Sequence, residues 1–293
     1  MKDALRLLVY LLATVVLGAL LAPPLFWIAQ SLAAHGTFAF LARYDFETFF
    51  HRALLLAALL LLWPLARSIE MRSLNDLQLA PNPHRWRDLL AGVLLSAIPL
   101  FCCAAILIAS PIFSIRGAIN WPAVARAAAA AAFVPVIEEA FFRGLVLGAL
   151  LKTGRQLLAI LLTSALYSVV HFLKAPEHTS SEVTWASGFN SITHAFVQFG
   201  DPLLVGAGFT TLFLIGWILA EARLLTRSLW LPIGLHAGWI FTAGAFNKIA
   251  LRQWLILPWL GKSLLVGIVP LAIAGVTWLL MRAWLKYSNA RNA

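Results

Sequence analysis

Charge is what this sequence has least of. Asp, Glu, Lys and Arg together supply 12% of its 293 residues, against 61% hydrophobic residues. With a mean hydropathy of +0.86, that is more apolar surface than a soluble core of this size can hide, so a water-soluble globular domain is excluded. Cysteine is nearly absent. Cys102 and Cys103 are the only two, adjacent in one apolar run where helical side chains point about 100° apart and do not readily pair. No histidine stands near them at zinc spacing, so a disulfide framework and a cysteine metal site are both excluded and the pair reads as small apolar filler. Also missing are a soluble domain, an internal repeat and any low-complexity tract beyond the alanine run at 127–132.

What is present is a series of long apolar runs. They predict an all-α polytopic membrane protein of about eight transmembrane helices, at roughly 5–28, 46–65, 89–110, 121–151, 156–173, 203–222, 228–247 and 263–285. The fourth is the most interrupted. The first run is longer than a signal-peptide core and continues through Pro23 and Pro24 without a clear cleavage site, so it is read as a retained span. Lys2, Arg6, Arg67, Arg72, Arg85, Arg87, Lys152, Arg155, Arg223, Arg227, Arg282, Lys286 and Arg291 fall on one side of this arrangement. Arg43, Arg116, Lys174, Lys248, Arg252 and Lys262 fall on the other. The excess places both termini in the cytoplasm, as an even span count requires. The net charge of +10 is dispersed over short loops rather than gathered in one stripe. The expected partner is therefore the anionic lipid bilayer and no nucleic acid. Of the two longest polar connections, 66–88 and 174–201, the second is the expected lid.

Against this background the stretch VPVIEEAFFRG, residues 134 to 144, is out of place. On a helix Glu139 and Arg143 lie four residues apart on one face, acid before base, and can neutralise each other. Glu138 points about 100° away and is left for something else. A carboxylate deep in a span costs a few kcal/mol, which marks it for function, with a buried structural ion pair as the competing reading. Two of the seven histidines also fall inside spans, His171 and His236. Counting about 1.5 Å per residue from the cytoplasmic ends, Glu138 lies about 21 Å deep, His171 about 24 Å and His236 about 14 Å. Three ionisable groups converging from three helices allow proton chemistry on a water molecule.

The order of these elements carries a resemblance. EExxxR at Glu138, Glu139 and Arg143, an aromatic-xxx-His at Tyr167 and His171, and His236 after LWLPIGL together resemble the CPBP family. This is the CAAX protease and Abi group of intramembrane proteases. The resemblance covers roughly residues 120–247. It divides the chain into N-terminal spans (1–119), a catalytic core (120–247) and a C-terminal loop and span (248–293).

The resemblance implies hydrolysis of a peptide bond in a membrane-anchored protein or peptide. It makes Glu138 the base that activates water and gives Glu139 the task of orienting Glu138 or pairing with Arg143. His171 would hold the water or the carbonyl, and His236 would stabilise the oxyanion. No cofactor is favoured. Zinc is the alternative, held by Glu138, His171 and His236, but the sequence lacks the HExxH spacing that puts two ligands on one helix.

There is one departure. The family's polar residue, usually Asn, four positions after the last histidine is replaced by Ile240, and Asn247 is about 16 Å along the helix from His236. Tyr167 replaces the commoner phenylalanine; packing against the next helix is its plainer reading, and donation to the site the other. A catalytically silent immunity or scaffold protein therefore stays open. A proton-coupled transporter is less favoured, because no repeated halves are present. The expected location is the bacterial inner (plasma) membrane.

Overall fold

In the computed structural model the described residues are 2–71, 73, 75–80, 82–172, 182–254, 258–261, 264 and 266–292. Every apolar run becomes a helix. They are α1 (Lys2–Ala34), α2 (Phe46–Ser68), α3 (Arg85–Ala109), α4 (Trp121–Glu139) and, beyond a π-helical segment at Ala140–Val146, α5 (Leu147–Leu151). Then come α6 (Gln156–Phe172), the short α7 (Ser187–Phe196), α8 (Pro202–Leu204) running through a second π-helical segment at Val205–Phe209 into α9 (Thr210–Thr226), α10 (Trp230–Ile249) and α11 (Ile268–Asn292). The protein is an all-α polytopic membrane protein. Five of these helical stretches, Lys2–Ala34, Phe46–Ser68, Arg85–Ala109, Pro202–Thr226 and Ile268–Ser288, are long and apolar enough to span by length and composition alone. Three of the helices outside that set, α4, α6 and α10, bear the acidic pair and the two histidines.

The chain divides into two compact units, one made of residues up to 72 with 172–201, the other of 73–171 with 202–293. In the first unit α1 and α2 form a hairpin. Asp45 caps α2 by accepting from the Thr48 backbone N–H at 3.3 Å and its hydroxyl at 2.8 Å, and Tyr10 donates to the Ala58 carbonyl at 3.0 Å. Phe26 packs edge-on against Phe46 and Phe49. The stretch 182–201 is not bare loop, since α7 lies in it. The remainder of the expected lid, 174–181, lies outside the described residues.

The second unit is organised around α3 and α10. Small residues set their distance: a Cβ placed on Gly234 would stand 2.1 Å from the Leu89 carbonyl oxygen, and one on Gly238 would stand 2.1 Å from the Ser96 hydroxyl. On the facing side a Cβ on Gly92 would meet the Leu231 carbonyl oxygen at 2.6 Å. This is the close backbone approach that GxxxG spacing permits in a membrane. It also brings the far ends of α3 and α10 together. The chain leaving each pairs as a short antiparallel ribbon, β1 (Phe113–Ile115) with β2 (Ala250–Arg252), a feature the apolar periodicity does not forecast.

The glycine contacts predict opposite signs for one substitution at two places. Gly275, in α11, has nothing within 4 Å of an added Cβ, so Gly275→Ala gains up to about 1 kcal/mol of helix propensity. Gly234→Ala drives a methyl into backbone and should cost about 1–3 kcal/mol despite the same propensity gain. Thermal unfolding in detergent checks both, and equal behaviour of the two variants would refute a close α3–α10 seam.

Candidate active site

Four helices of the second unit supply the site. Along α4, whose N-terminus is capped by the Asn120 side chain accepting from the Ala123 N–H at 3.0 Å, the chain delivers Glu138 and Glu139. Directly afterwards the backbone widens into the π-helical turn that carries Arg143, a distortion that recurs at functional positions in helices. α6 presents Tyr167 and His171 one turn apart, α9 presents the carbonyl of Gly216, and α10 presents His236. Residues 234 and 238 are committed to α3, and His236, two positions from each, projects from the opposite side of α10.

The sequence-predicted residues come together. Arg143 Nη1 donates to Glu139 Oε1 at 2.9 Å, and both side chains are 0% exposed. Arg143 is held on two further sides: its Nη2 donates to the Gly216 carbonyl at 3.2 Å, and its guanidinium lies 4.4 Å from the centre of the Tyr167 ring. The ring is a cation–π partner in a setting where water does not compete. Glu139 Oε1 also accepts from His236 Nδ1 at 2.7 Å. Glu139 therefore serves a cation and a histidine at once, rather than Arg143 alone as the i,i+4 spacing suggested.

Glu138 is different. Its side chain is 27% exposed, and its Oε2 stands 3.2 Å from His171 Nε2 and 3.7 Å from His236 Nε2. The partners fix the histidine tautomers. His171 Nδ1 is 2.8 Å from the Tyr167 carbonyl, and a carbonyl only accepts, so this nitrogen carries hydrogen. His236 Nδ1 carries hydrogen for the same reason, since Glu139 is ion-paired. Both rings therefore turn Nε2 toward Glu138. The 3.2 Å contact between Glu138 Oε2 and His171 Nε2 requires one proton between them. Close by, the buried Tyr167 hydroxyl lies 3.3 Å from His236 Nε2 and donates to it when that nitrogen is bare.

The residues that could hold a metal are Glu138, His171 and His236. Histidines that give Nδ1–H to fixed acceptors and present Nε2 are suited to ligation. Here, however, Glu138 Oε2 itself occupies hydrogen-bonding distance from His171 Nε2. Among the described residues no group of three His, Cys, Asp or Glu side chains is arranged to hold an ion.

Sequence reasoning missed two contributors. The Gly216 carbonyl left no signal, because any residue carries a carbonyl. The Gly234 and Gly238 pair did leave one, a GxxxG spacing around His236. Cys103 is buried and Cys102 exposed, both as free thiols.

Removing Arg143 tests the buried pair. Arg143→Ala strands the Glu139 carboxylate with only His236 as partner and should cost about 3–5 kcal/mol, seen as lost accumulation in the membrane and a lowered unfolding temperature. A double Glu139→Gln/Arg143→Met variant should recover much of that loss, because it removes both charges together. Failure of the double variant to exceed the single one would show that the charge pair is not what destabilises it.

Comparison with known proteins places a similarity on the segment that holds this site. Residues 119–242 match the family described as Rce1-like: type II CAAX prenyl endopeptidase Rce1-like. No curated protein and no solved structure matches the chain. The matched segment contains Glu138, Glu139, Arg143, Tyr167, His171 and His236, and the similarity supports a membrane protease of this kind. Residues 119–242 of this polytopic membrane protein are thus similar to the Rce1-like type II CAAX prenyl endopeptidase family.

Proposed function

We propose that the protein is an intramembrane endopeptidase in which Glu138 activates water without a metal. The observation that carries the reading is the contrast between adjacent carboxylates. Glu139 is sealed and doubly bonded, whereas Glu138 is partly open and faces two imidazole nitrogens. Of the two, only Glu138 is exposed.

In this mechanism Glu138 takes a proton from water while the water oxygen bonds to the scissile carbonyl carbon. The carbonyl oxygen becomes an oxyanion, the proton passes from Glu138 to the amide nitrogen, and the oxyanion re-forms the C=O bond as the C–N bond breaks, leaving a carboxylic acid and an amine. His171 holds the carboxyl group of Glu138 through their shared proton. Its own ring is fixed by the Tyr167 carbonyl. His236, anchored by Glu139, stands beside the oxyanion position. Because Ile240 offers no hydrogen bond, the Tyr167 hydroxyl is the neutral donor next to His236, and it holds the oxyanion by turning its one hydrogen there from His236 Nε2. If zinc were bound by Glu138, His171 and His236, it would supply the polarisation of the carbonyl. The chain lies in the bacterial inner membrane, and its Lys and Arg distribution supports cytoplasmic termini.

Two experiments test this. Glu138→Gln keeps volume and the buried Glu139 pair, so the variant should accumulate normally while cleavage of a membrane-peptide substrate falls by at least about 10². Strong chelators should leave wild-type turnover unchanged; turnover lost on chelation and restored by Zn²⁺ would overturn the metal-free mechanism. An unchanged cellular role in Glu138→Gln would instead favour a silent scaffold.

The second experiment asks where the oxyanion donor is. Tyr167→Phe should lower turnover by about 10²–10³ with little change in KM, and Ile240→Asn in that background should restore part of it, because one well-placed donor is worth about 2.7–4 kcal/mol. A Tyr167→Phe variant with wild-type turnover would assign the tyrosine to packing alone.

A further inference from the structure

In the second unit, the end where α4 begins and α10 finishes carries a cleft of about 340 Å³, lined in part by Arg116, Asn120, Arg126, Asn247 and Lys248. The three cations come from separate places: the segment after β1, the body of α4 and the last turn of α10. Among the described residues none of the three makes an ion pair or a side-chain hydrogen bond. Arg252, close by on β2, behaves otherwise and donates to the Gly261 carbonyl at 2.7 Å.

The frame beneath the cations is fixed. The Arg116 N–H donates to the Ile249 carbonyl at 2.9 Å, β1 pairs with β2, and Asn120 uses its Oδ1 to cap α4, which leaves its NH₂ group as a further donor. Three like charges drawn to one cleft repel one another unless an anion joins them. The surroundings say where that anion lies. Ile115, Trp121, Leu251 and Trp254 are 60%, 63%, 47% and 64% exposed. Tryptophans and aliphatic side chains left open beside cations belong at the level of lipid headgroups.

We infer that this cleft is a phosphate-binding site, occupied by the phosphodiester of an anionic phospholipid, and that its occupancy ties the start of α4 to the end of α10. Arg126 and Lys248 then share one anion across the two helices that carry Glu138, Glu139 and His236. The inference does not depend on the catalytic reading.

The test uses the full-length protein in zwitterionic detergent at low ionic strength, where surface charge is least screened. Unfolding temperature is followed against dihexanoyl phosphatidylglycerol, dihexanoyl phosphatidylcholine and inorganic phosphate. The variants are Arg116→Gln/Arg126→Gln/Lys248→Gln, the single Arg126→Gln, and a control with the same charge loss elsewhere, Arg155→Gln/Arg227→Gln/Lys286→Gln.

Phosphatidylglycerol should raise the unfolding temperature of the wild type and the control saturably. Its apparent affinity should fall by at least about tenfold in the cleft triple and by a smaller factor in Arg126→Gln. Without lipid, the cleft triple should unfold at or above the wild-type temperature, because its repulsion is gone. A response to inorganic phosphate but not to phosphatidylglycerol, lost in the same variants, would keep the phosphate site and make free phosphate its occupant. Equal responses of all variants to phosphatidylglycerol, or responses to phosphatidylcholine as large as those to phosphatidylglycerol, would overturn the site.

Discussion

The second unit is built around one expensive object, the carboxylate of Glu139. A bare charge of this kind has no place among alanine, leucine and phenylalanine side chains, and it is tolerated only because a guanidinium and an imidazole N–H meet the same oxygen. That requirement propagates outward. Arg143 must be held in turn, which the Gly216 carbonyl and the Tyr167 ring do. His236 must arrive at one depth and one rotation, which the seam between α3 and α10 sets. The buried ion pair contributes little net stability as such, since its desolvation offsets most of its attraction. Its effect is to fix four helices in one register.

That register gives Glu138 its character. Neighbouring carboxylates on one helix receive different surroundings because successive side chains diverge: one points into the sealed interior, the other toward a partly open space between α6 and α10. The first is used up by its partners. The second keeps its contact with His171 and stays partly exposed, which suits the role of base proposed for it. The histidines are equally constrained, because each gives its Nδ1–H to an acceptor with no proton of its own. Their Nε2 atoms are thereby both aimed at Glu138, which would leave little reorganisation for the reaction proposed above.

The same packing has a consequence at the far end of the bundle. Bringing α3 and α10 close delivers their outgoing chains to a shared ribbon, and this places Arg116 and Lys248 near the start of α4. Each cation on its own reads as a minority charge on one side of the membrane. Together they form a cleft whose electrostatics favour an anion.

Much of this was legible in the sequence. Lack of charge and the length of the apolar runs determined the all-α membrane architecture, because a backbone in lipid must satisfy its own hydrogen bonds within a helix. Local spacing determined the Glu139–Arg143 pair and the divergence of Glu138, since both follow from helix geometry over one turn. The order of the EExxxR, Tyr–His and histidine elements pointed to the family. Beyond that the tertiary structure decided. It joined His236 to Glu139 across 97 positions, turned the Tyr167 hydroxyl toward His236, recruited a glycine carbonyl and gathered three cations from distant segments. These depend on how helices rotate and approach, which small residues such as Gly234 set through backbone contact, and spacing along a chain carries no distance between helices.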